Sequence, residues 1–237
     1  IRSLMETTNF SEFLSQLTSG FTQVLDVNLK EKDYIVIDLS EDNVELRKVD
    51  VSSSRAFSNY IAEYLNAFGK KVAFGGYSEV RKLYKRSELF TASEDEDSNR
   101  NIHLGLDFWA DAYTDVLAVL DGKIHSFNDN TNFGDYGPTI ILEHTFEDKK
   151  FYSLYGHLSR ASLENLIPGT SIKKGEKIGQ LGTAEENGDY APHLHFQIIE
   201  EMKEKIGDFP GVTSRRDLDF YLQNCPDPNY LLKLRNS

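Results

Sequence analysis

The sequence predicts a mainly β protein with an α+β N-terminal region, and two observations lead to this fold class. Beyond residue 101, short apolar runs alternate with Gly, Asn and Asp, as in IHLGLDFWA, TIILEHT and HLHFQII. Short strands divided by turn residues indicate an antiparallel sheet assembly. Before residue 92, helical spacing of apolar residues occurs on both sides of two β-rich runs. A chain of 237 residues with 39% hydrophobic content can bury one large core or two small ones.

The N-terminal elements follow from apolar spacing. Apolar residues at helical intervals from Phe10 to Leu25 predict one amphipathic helix. The runs YIVIDL (34–39) and VELRKV (44–49) are joined by the turn residues SEDN, which predicts a β-hairpin. A second helix is expected from the serine-rich start at 52–54 to Gly69, with apolar positions from Phe57 to Phe68.

An acidic stretch divides the chain. Residues 92–101, ASEDEDSNRN, contain no apolar residue after the alanine, which predicts an exposed connection. We therefore expect an N-terminal α+β region over 1–98, a β domain over 99–200, and a C-terminal extension over 201–237 that packs on the β domain. The acidic run lacks the glycine turn and spaced oxygens of a calcium loop, so we interpret it as solvated linker.

Composition excludes several classes of function. A net charge of −12 opposes binding to a phosphate backbone, so no nucleic-acid partner is expected. No run reaches the ~18 apolar residues of a transmembrane segment. The single cysteine, Cys225, rules out an internal disulfide, and a packing role is predicted for it. If Met5 is the native start, the absence of an export signal favours the cytoplasm; otherwise a periplasmic or extracellular location is expected.

Histidines in the β-rich part form the candidate site. In APHLHFQII (191–199), His193 and His195 project to one face of a strand. Leu194, Phe196 and Ile198 point to the other face, toward a core. In IHLGLDF, His103 and Asp107 lie four apart on one face of a predicted strand, and Gly105 leaves space above it. His157 ends the aromatic strand FYSLYGHL.

Imidazoles and a carboxylate on strand faces suit a catalytic Zn²⁺ site, which uses three protein ligands and keeps one position for water. His103, Asp107 and one of the pair His193 and His195 would supply that set. The remaining histidines would then act on the water or the substrate. A single histidine is more often a hydrogen-bonded structural residue, so the hypothesis depends on the joint occurrence of these motifs.

These motifs resemble the lysostaphin/LytM-type zinc metallopeptidases of metallopeptidase family 23. The similarity rests on the following segments, in this order: HLGLD, DYGPTIILEH, YGHLS, IKKGEKIGQLG and PHLHFQ. The resemblance implies one zinc ion bound by His103, Asp107 and His195, and catalytic roles for His157 and His193 toward the attacking water and the tetrahedral intermediate. It also implies a LytM-like antiparallel sheet of the duplicated-hybrid-motif type, open on one side to a groove.

The chain departs from the family pattern at several positions. Ala191 stands where a glycine is usual, Gln197 stands where a glutamate is usual, and residues 128–137 form an extended loop that could reshape a groove wall. Tyr155 is predicted to share a strand face with His157 and to offer a supporting hydroxyl, core packing being the alternative.

Two further expectations concern residues outside the family motifs. Residues 77–81, with Tyr77, Glu79 and Arg81, are predicted either to fold over the groove as a lid or to form an exposed ion-paired turn. His125 and His144 are expected to be structural.

The flanking segments show a second resemblance. GGYSEVRKLY, GDFPGV and CPDPNYLL are similar to the flanks of a metallopeptidase-like domain in large fused polypeptides with kinase-like and aminotransferase domains, which are intracellular. The function expected is zinc-dependent endopeptidase or amidase activity on a peptide or peptidoglycan-like substrate. The alternatives are a zinc hydrolase of a small intracellular amide or ester, and a non-catalytic peptide-binding module.

Overall fold

The computed structural model describes residues 9–86, 90 and 96–235 of the chain. Its strands are β1 Tyr34–Val36, β2 Val72–Gly75, β3 Arg100–His103, β4 Leu106–Trp109, β5 Asp115–Leu117, β6 Gly122–Asn130, β7 Gly137–Phe146, β8 Lys149–Gly156, β9 Ser171–Ile172, β10 Lys177–Gln180, β11 His193–Ile199 and β12 Val212–Ser214. Its α-helices are α1 Phe10–Gln16, α2 Ser54–Phe68, α3 Leu218–Asn224 and α4 Asn229–Leu232.

A large, mostly antiparallel sheet organises the molecule. Within the described residues, eight strands form it in the order β1-β2-β4-β11-β8-β7-β6-β9. All its neighbours are antiparallel except β1 and β2. Two smaller pairs, β5 with β10 and β3 with β12, flank this sheet. The predicted mainly β fold class is confirmed.

The central strand β11 shows why its sequence alternates. Leu194, Phe196 and Ile198 point to one face and enter the main hydrophobic core. His193 and His195 project from the opposite face, because successive side chains of a strand alternate. The predicted division of HLHFQII into an apolar face and a histidine face is confirmed.

The predicted N-terminal hairpin is wrong. Tyr34–Val36 pairs in parallel with Val72–Gly75, not with the following run. Residues Glu45–Lys48 form a 3₁₀ turn instead of a strand. A parallel pair needs a long crossover connection, and α2 provides it. The strand alternation in VELRKV is therefore misleading, since a short turn of three charged residues and Leu46 satisfies the same pattern.

The two predicted helices have different outcomes. The first ends at Gln16, much earlier than expected, because the following residues run extended: Leu25 bridges to Val116, and Thr22 N–H donates to the carbonyl of Leu232 at 2.8 Å. The second is confirmed. Its N-cap Ser53 accepts a hydrogen bond from the N–H of Ala56, and Gly69 ends it in the left-handed conformation with φ of 61°.

The run around HLGLDFW is two strands and not one. The chain turns between β3 and β4, so Leu104 packs with Cys225 in a separate cluster while Leu106 and Phe108 enter the main core. The prediction of a single strand through IHLGLDF is therefore wrong.

Residues outside 99–200 contribute to the same structure. Strands β1 and β2 extend the large sheet beside β4, and the C-terminal residues Leu231 and Leu232 are buried in the main core. The division into 1–98, 99–200 and 201–237 stays a prediction. Met5 and residues 92–95 of the acidic stretch lie outside the described residues. In the part of the chain that is described, no helix has the length and apolar character needed to cross a bilayer.

His125 and His144 are structural in their contacts. His144 is buried on β7, where its ring nitrogens bond to the carbonyl of Asp121 at 2.8 Å and to Ser153 Oγ at 2.7 Å. His125 bonds to Ser126 Oγ at 2.8 Å and packs on the ring of Tyr152. Burial lowers the pKa of His144 to about 4.

Replacing His144 should change how the stability of the fold depends on pH. Because the folded pKa lies below the ordinary value, the unfolded state binds the proton preferentially, and stability is lost as pH falls below about 6.5. His144→Gln should remove about 2 kcal/mol of the decrease in unfolding free energy between pH 7 and pH 5. Urea unfolding of both proteins with excess chelator measures this difference. Parallel pH dependences would contradict the assignment.

Candidate metal and catalytic site

Strand register brings the predicted site residues together. Strand β11 lies between β4 and β8, so His195 stands opposite Asp107 on one side and Gly156 on the other. His157 follows Gly156 directly, at the end of β8. The last residue of β3 is His103, which reaches the same place from the neighbouring turn. Segments nearly a hundred residues apart therefore meet at one point.

Three ligand atoms converge in this place. His103 Nε2 lies 2.8 Å from His195 Nδ1. Asp107 Oδ1 lies 3.2 Å from His103 Nε2 and 3.1 Å from His195 Nδ1. In a tetrahedral zinc site with bonds of about 2.0–2.1 Å, ligand atoms are separated by about 3.3 Å. The observed triangle is close to that size, and all three residues are buried.

Hydrogen bonds fix the tautomers so that lone pairs face the cluster. His103 Nδ1–H donates to the carbonyl of Gly76 at 2.9 Å, which leaves Nε2 without a proton. Gln197 donates its amide to the carbonyl of Pro210 at 3.1 Å, so its Oε1 accepts from His195 Nε2–H at 2.9 Å. Two imidazole lone pairs and a carboxylate then point at each other, which is unfavourable unless a cation lies between them. The residues present fit a divalent metal.

The electrostatics of the cluster suit metal binding at neutral pH. Burial lowers the pKa of His103 to about 4, with a further lowering from the Arg81 guanidinium. Burial alone would raise the pKa of Asp107, but the neighbouring His103 and the Arg81 guanidinium hold it well below its usual range. The imidazole is neutral and the carboxylate is ionised, as a metal requires of its ligands.

His157 and His193 lie beside this cluster with their rings 4.1 Å apart between centroids. His157 Nδ1–H donates to the carbonyl of Asn187 and His193 Nδ1–H to that of Ala191, each at 2.8 Å. Both Nε2 atoms therefore carry lone pairs. The Trp109 ring stacks on His193 with 5.6 Å between centroids. Burial lowers the pKa of His193 to about 4 and that of His157 well below its usual range.

Tyr155 packs in the core, which is the alternative predicted for it, and its hydroxyl does not reach the candidate site. Its hydroxyl bonds to the N–H of Val119 and to Ser153, and its ring packs on Phe196 in the core. The expected shared face fails because His157 lies beyond the end of β8 with φ of 62°. This left-handed backbone turns the imidazole away from the strand face and costs on the order of 1 kcal/mol or more.

A cavity of about 340 Å³ contains the predicted ligands and both further histidines in its wall. Other walls come from the N-terminal region, through Phe57 and Tyr84, and from the predicted loop 128–137, through Asp135 and Tyr136. The loop therefore shapes the cavity, as expected.

Residues 77–81 form an ion-paired turn, which is one of the two predicted alternatives, but the ion pair is not exposed. The chain turns at Tyr77 and Ser78, and Arg81 pairs with Glu79. Arg81 is 2% exposed and also bonds to Asp107, while Tyr77 donates to the carbonyl of Cys225. Arg81 is therefore a buried support of the site.

Sequence reasoning missed several contributors. Gln197 lies two residues after His195 on the same strand face, so the two-residue alternation of a strand is the signal that points to it. Tyr136, whose hydroxyl lies 3.4 Å from His195 Nε2, and Tyr190, which packs against His157, were not considered for the site. For Arg81 no local signal exists, because its contact with Asp107 joins residues 26 positions apart.

The fold and site together define a candidate metal centre of the metallopeptidase class: three residues on an antiparallel sheet could hold a metal ion, and two histidines with free lone pairs lie in the same cavity. Residues 101–206 match the model of Peptidase family M23. The matched segment, a little under half of the chain, is similar to the lysostaphin/LytM-type peptidases of that family.

Comparison with known proteins adds particular relatives. The glycyl-glycine endopeptidase ALE-1 of Staphylococcus capitis is 30% identical over 142 residues, which cover 60% of this chain and 32% of that protein. Lysostaphin of Staphylococcus simulans is 29% identical over 122 residues, covering 52% of this chain and 22% of that protein. The solved catalytic domain of Staphylococcus simulans lysostaphin has a TM-score of 0.36 at 27% identity, covering 51% of this chain and 80% of that one. The chain thus spans about a third or less of these curated relatives.

Gly105 should be required for the metal cluster. A Cβ at this position would lie 2.7 Å from His195 Cε1 and 2.7 Å from the carbonyl oxygen of Phe196. Gly105→Ala must therefore displace the His195 ring, and we expect divalent metal affinity to fall by about tenfold or more. Chelator competition measures the affinity. Gly20→Ala is the matched control, because a Cβ there meets nothing within 4 Å. Equal affinities for the two variants would contradict this role.

Proposed function

We propose that this chain is a zinc-dependent hydrolase of amide bonds, an endopeptidase or amidase of the lysostaphin/LytM type. The observation that carries the proposal is a buried triangle of His103, Asp107 and His195 ligand atoms in one cavity with the free Nε2 atoms of His157 and His193. Nitrogen and carboxylate ligands in this number are typical of catalytic zinc sites, which use three protein ligands and leave one position open.

A zinc ion bound there would supply Lewis-acid polarisation of a carbonyl and acidification of a water molecule. The chain's own residues do the rest. His157 and His193 each present a lone pair, so either ring can accept a proton at Nε2 during attack on the amide. A protonated ring then carries a hydrogen-bond donor and a positive charge toward the developing oxyanion, or returns the proton to the leaving amine. The fixed Nδ1 bonds keep both rings in orientation while Nε2 changes state.

The substrate class is inferred from relatives and from the cavity. ALE-1 is a glycyl-glycine endopeptidase, which favours a peptide or peptidoglycan-like substrate for this chain. A second candidate, a small amide or ester, is favoured by the cavity itself. Phe57 and Tyr84, which lie outside the matched segment, form part of its wall, and its volume of about 340 Å³ is that of a small-molecule site. A non-catalytic binding module would not need four histidines whose hydrogen bonds all leave a lone pair directed into the site.

Two variants should separate metal binding from catalysis. Asp107→Ala removes a ligand, so zinc content should fall well below one ion per chain. His193→Ala should keep zinc, because this ring is not in the ligand triangle, yet lower turnover about 10²-fold or more. His125→Ala, far from these contacts, serves as the control for both readouts. Metal analysis and hydrolysis assays on the purified proteins give the answer, and equal zinc loss in the His193 and Asp107 variants would contradict the roles.

The substrate assay compares the two candidate classes directly. Glycine-rich peptides and cross-linked peptidoglycan fragments form one arm, and small amides and esters the other. Zinc-dependent turnover in the first arm supports the endopeptidase, and turnover confined to the second supports the small-amide hydrolase. A zinc-loaded protein that binds peptides and cleaves nothing in either arm would contradict hydrolysis.

A further inference from the structure

A buried arginine lies directly behind the predicted metal ligands. Arg81 is 2% exposed, and its Nη1 donates to Asp107 Oδ2 at 2.5 Å. Its Nε donates to the carboxylate of Glu79, and its guanidinium lies over the Trp109 ring, 5.5 Å from the centroid. A fully buried arginine is rare unless it is paired. Here Arg81 is paired twice, with the carboxylate of Glu79 through Nε and with that of Asp107 through Nη1.

The two oxygens of Asp107 have separate partners. Oδ1 faces His103 Nε2 and His195 Nδ1 at 3.2 and 3.1 Å. Oδ2 is held by Arg81 on the other side. A carboxylate whose second oxygen is hydrogen-bonded to a guanidinium has one oxygen left for a cation. The arginine therefore decides which oxygen of Asp107 faces the cluster and in which direction.

Arg81 is itself anchored against the strand that carries His103. Its backbone N–H donates to the carbonyl of Asn101 at 2.9 Å, and the preceding residue, Val80, forms a β-bridge with Ile102. The N–H of His103 donates to the carbonyl of Glu79 at 3.0 Å. This pairing fixes the backbone of Arg81, and the bond to Glu79 and the contact with the Trp109 ring hold its guanidinium beside Asp107.

The same segment also orients another ligand. The carbonyl of Gly76 accepts the Nδ1 proton of His103, and Gly75 stands opposite Asp107 in the register of β2 with β4. Residues 75–81 therefore contact two ligands of the predicted cluster. All of them lie outside the segment 101–206 that matches the family model.

We propose that Arg81 is a positioning residue that holds Asp107 in one-oxygen coordination, so that residues 75–81 are an integral part of the metal centre. This inference rests on the proposed zinc function. A second coordinating oxygen would occupy space and charge needed for an incoming water or carbonyl. The arginine prevents that arrangement by keeping Oδ2 engaged.

Charge and orientation act in opposite directions on metal affinity. The Arg81 cation repels a metal ion, but the Glu79 carboxylate bonded to its Nε offsets that charge at close range. Orientation of the ligand is therefore the larger effect. Partners that orient metal ligands typically contribute 10- to 100-fold in affinity.

The test compares Arg81→Met, Arg81→Lys and Arg160→Met, the last an exposed arginine outside the cavity that serves as control. Zinc affinity is measured by chelator competition, and coordination geometry by the visible spectrum of the Co²⁺-substituted proteins. Arg81→Met should bind zinc about 10- to 100-fold more weakly and show a weaker, shifted Co²⁺ band, since Oδ2 becomes free to coordinate. Arg81→Lys should recover part of both. Wild-type affinity and spectrum in Arg81→Met would overturn the proposal.

A second measurement covers the case in which Arg81→Met does not fold. A zinc-bound crystal structure of the unaltered chain should show one oxygen of Asp107 on the metal and the other on Arg81. Both oxygens on the metal would refute the inference. If the unaltered chain binds no zinc at all, the proposed function itself fails, and this outcome is distinct from a zinc-bound centre that is indifferent to Arg81.

Discussion

The pairing of β11 between β4 and β8 is the constraint on which the rest of the site depends. Its register places His195 opposite Asp107 and beside Gly156, so backbone hydrogen bonds bring two candidate ligands next to the end of β8, where His157 follows. A slip of one residue would exchange the two faces of β11 and send both histidines into the core. The buried faces of Leu194 and Phe196 prevent that slip, so hydrophobic burial ultimately sets the geometry of the polar cluster.

This arrangement conflicts with the ordinary requirements of a protein interior. A buried carboxylate and two imidazole lone pairs within about 3 Å of each other repel, and each is removed from water. The surrounding structure tolerates them because every opposite ring nitrogen and the second carboxylate oxygen are satisfied by Gly76, Gln197 or Arg81. The cluster is favourable only with a cation present. Without one, the stability of the large sheet offsets its cost, as is common for metal centres.

Sequence alone predicted a ligand triangle and a pair of catalytic histidines, because each prediction depends on local strand alternation and on family-like motifs, and the structure places all five residues around one cavity. The face assignment of HLHFQII needed only a period of two. Other features were beyond reach for a physical reason: the parallel pairing of β1 with β2 depends on a crossover, and the displacement of His157 from the Tyr155 face depends on a left-handed backbone angle. The contact of Arg81 with Asp107 joins two regions with no shared periodicity. Contacts between distant segments of this kind cannot be predicted from the pattern of neighbouring residues.

The residues missed by local reasoning share one task. Gly76, Gln197 and Arg81 present no atom to the interior of the ligand triangle, yet they determine which nitrogen keeps its proton and which oxygen faces inward. Two chains with identical ligand motifs can therefore differ in metal affinity through such partners alone. In this chain Gln197 occupies its place because its amide donates to Pro210 while its oxygen accepts from His195. A carboxylate there would face the carbonyl of Pro210 without a proton to share, so the C-terminal segment and Gln197 are matched to each other. The motif supplies the candidate ligands. The flanking regions determine their tautomers and the orientation of the carboxylate.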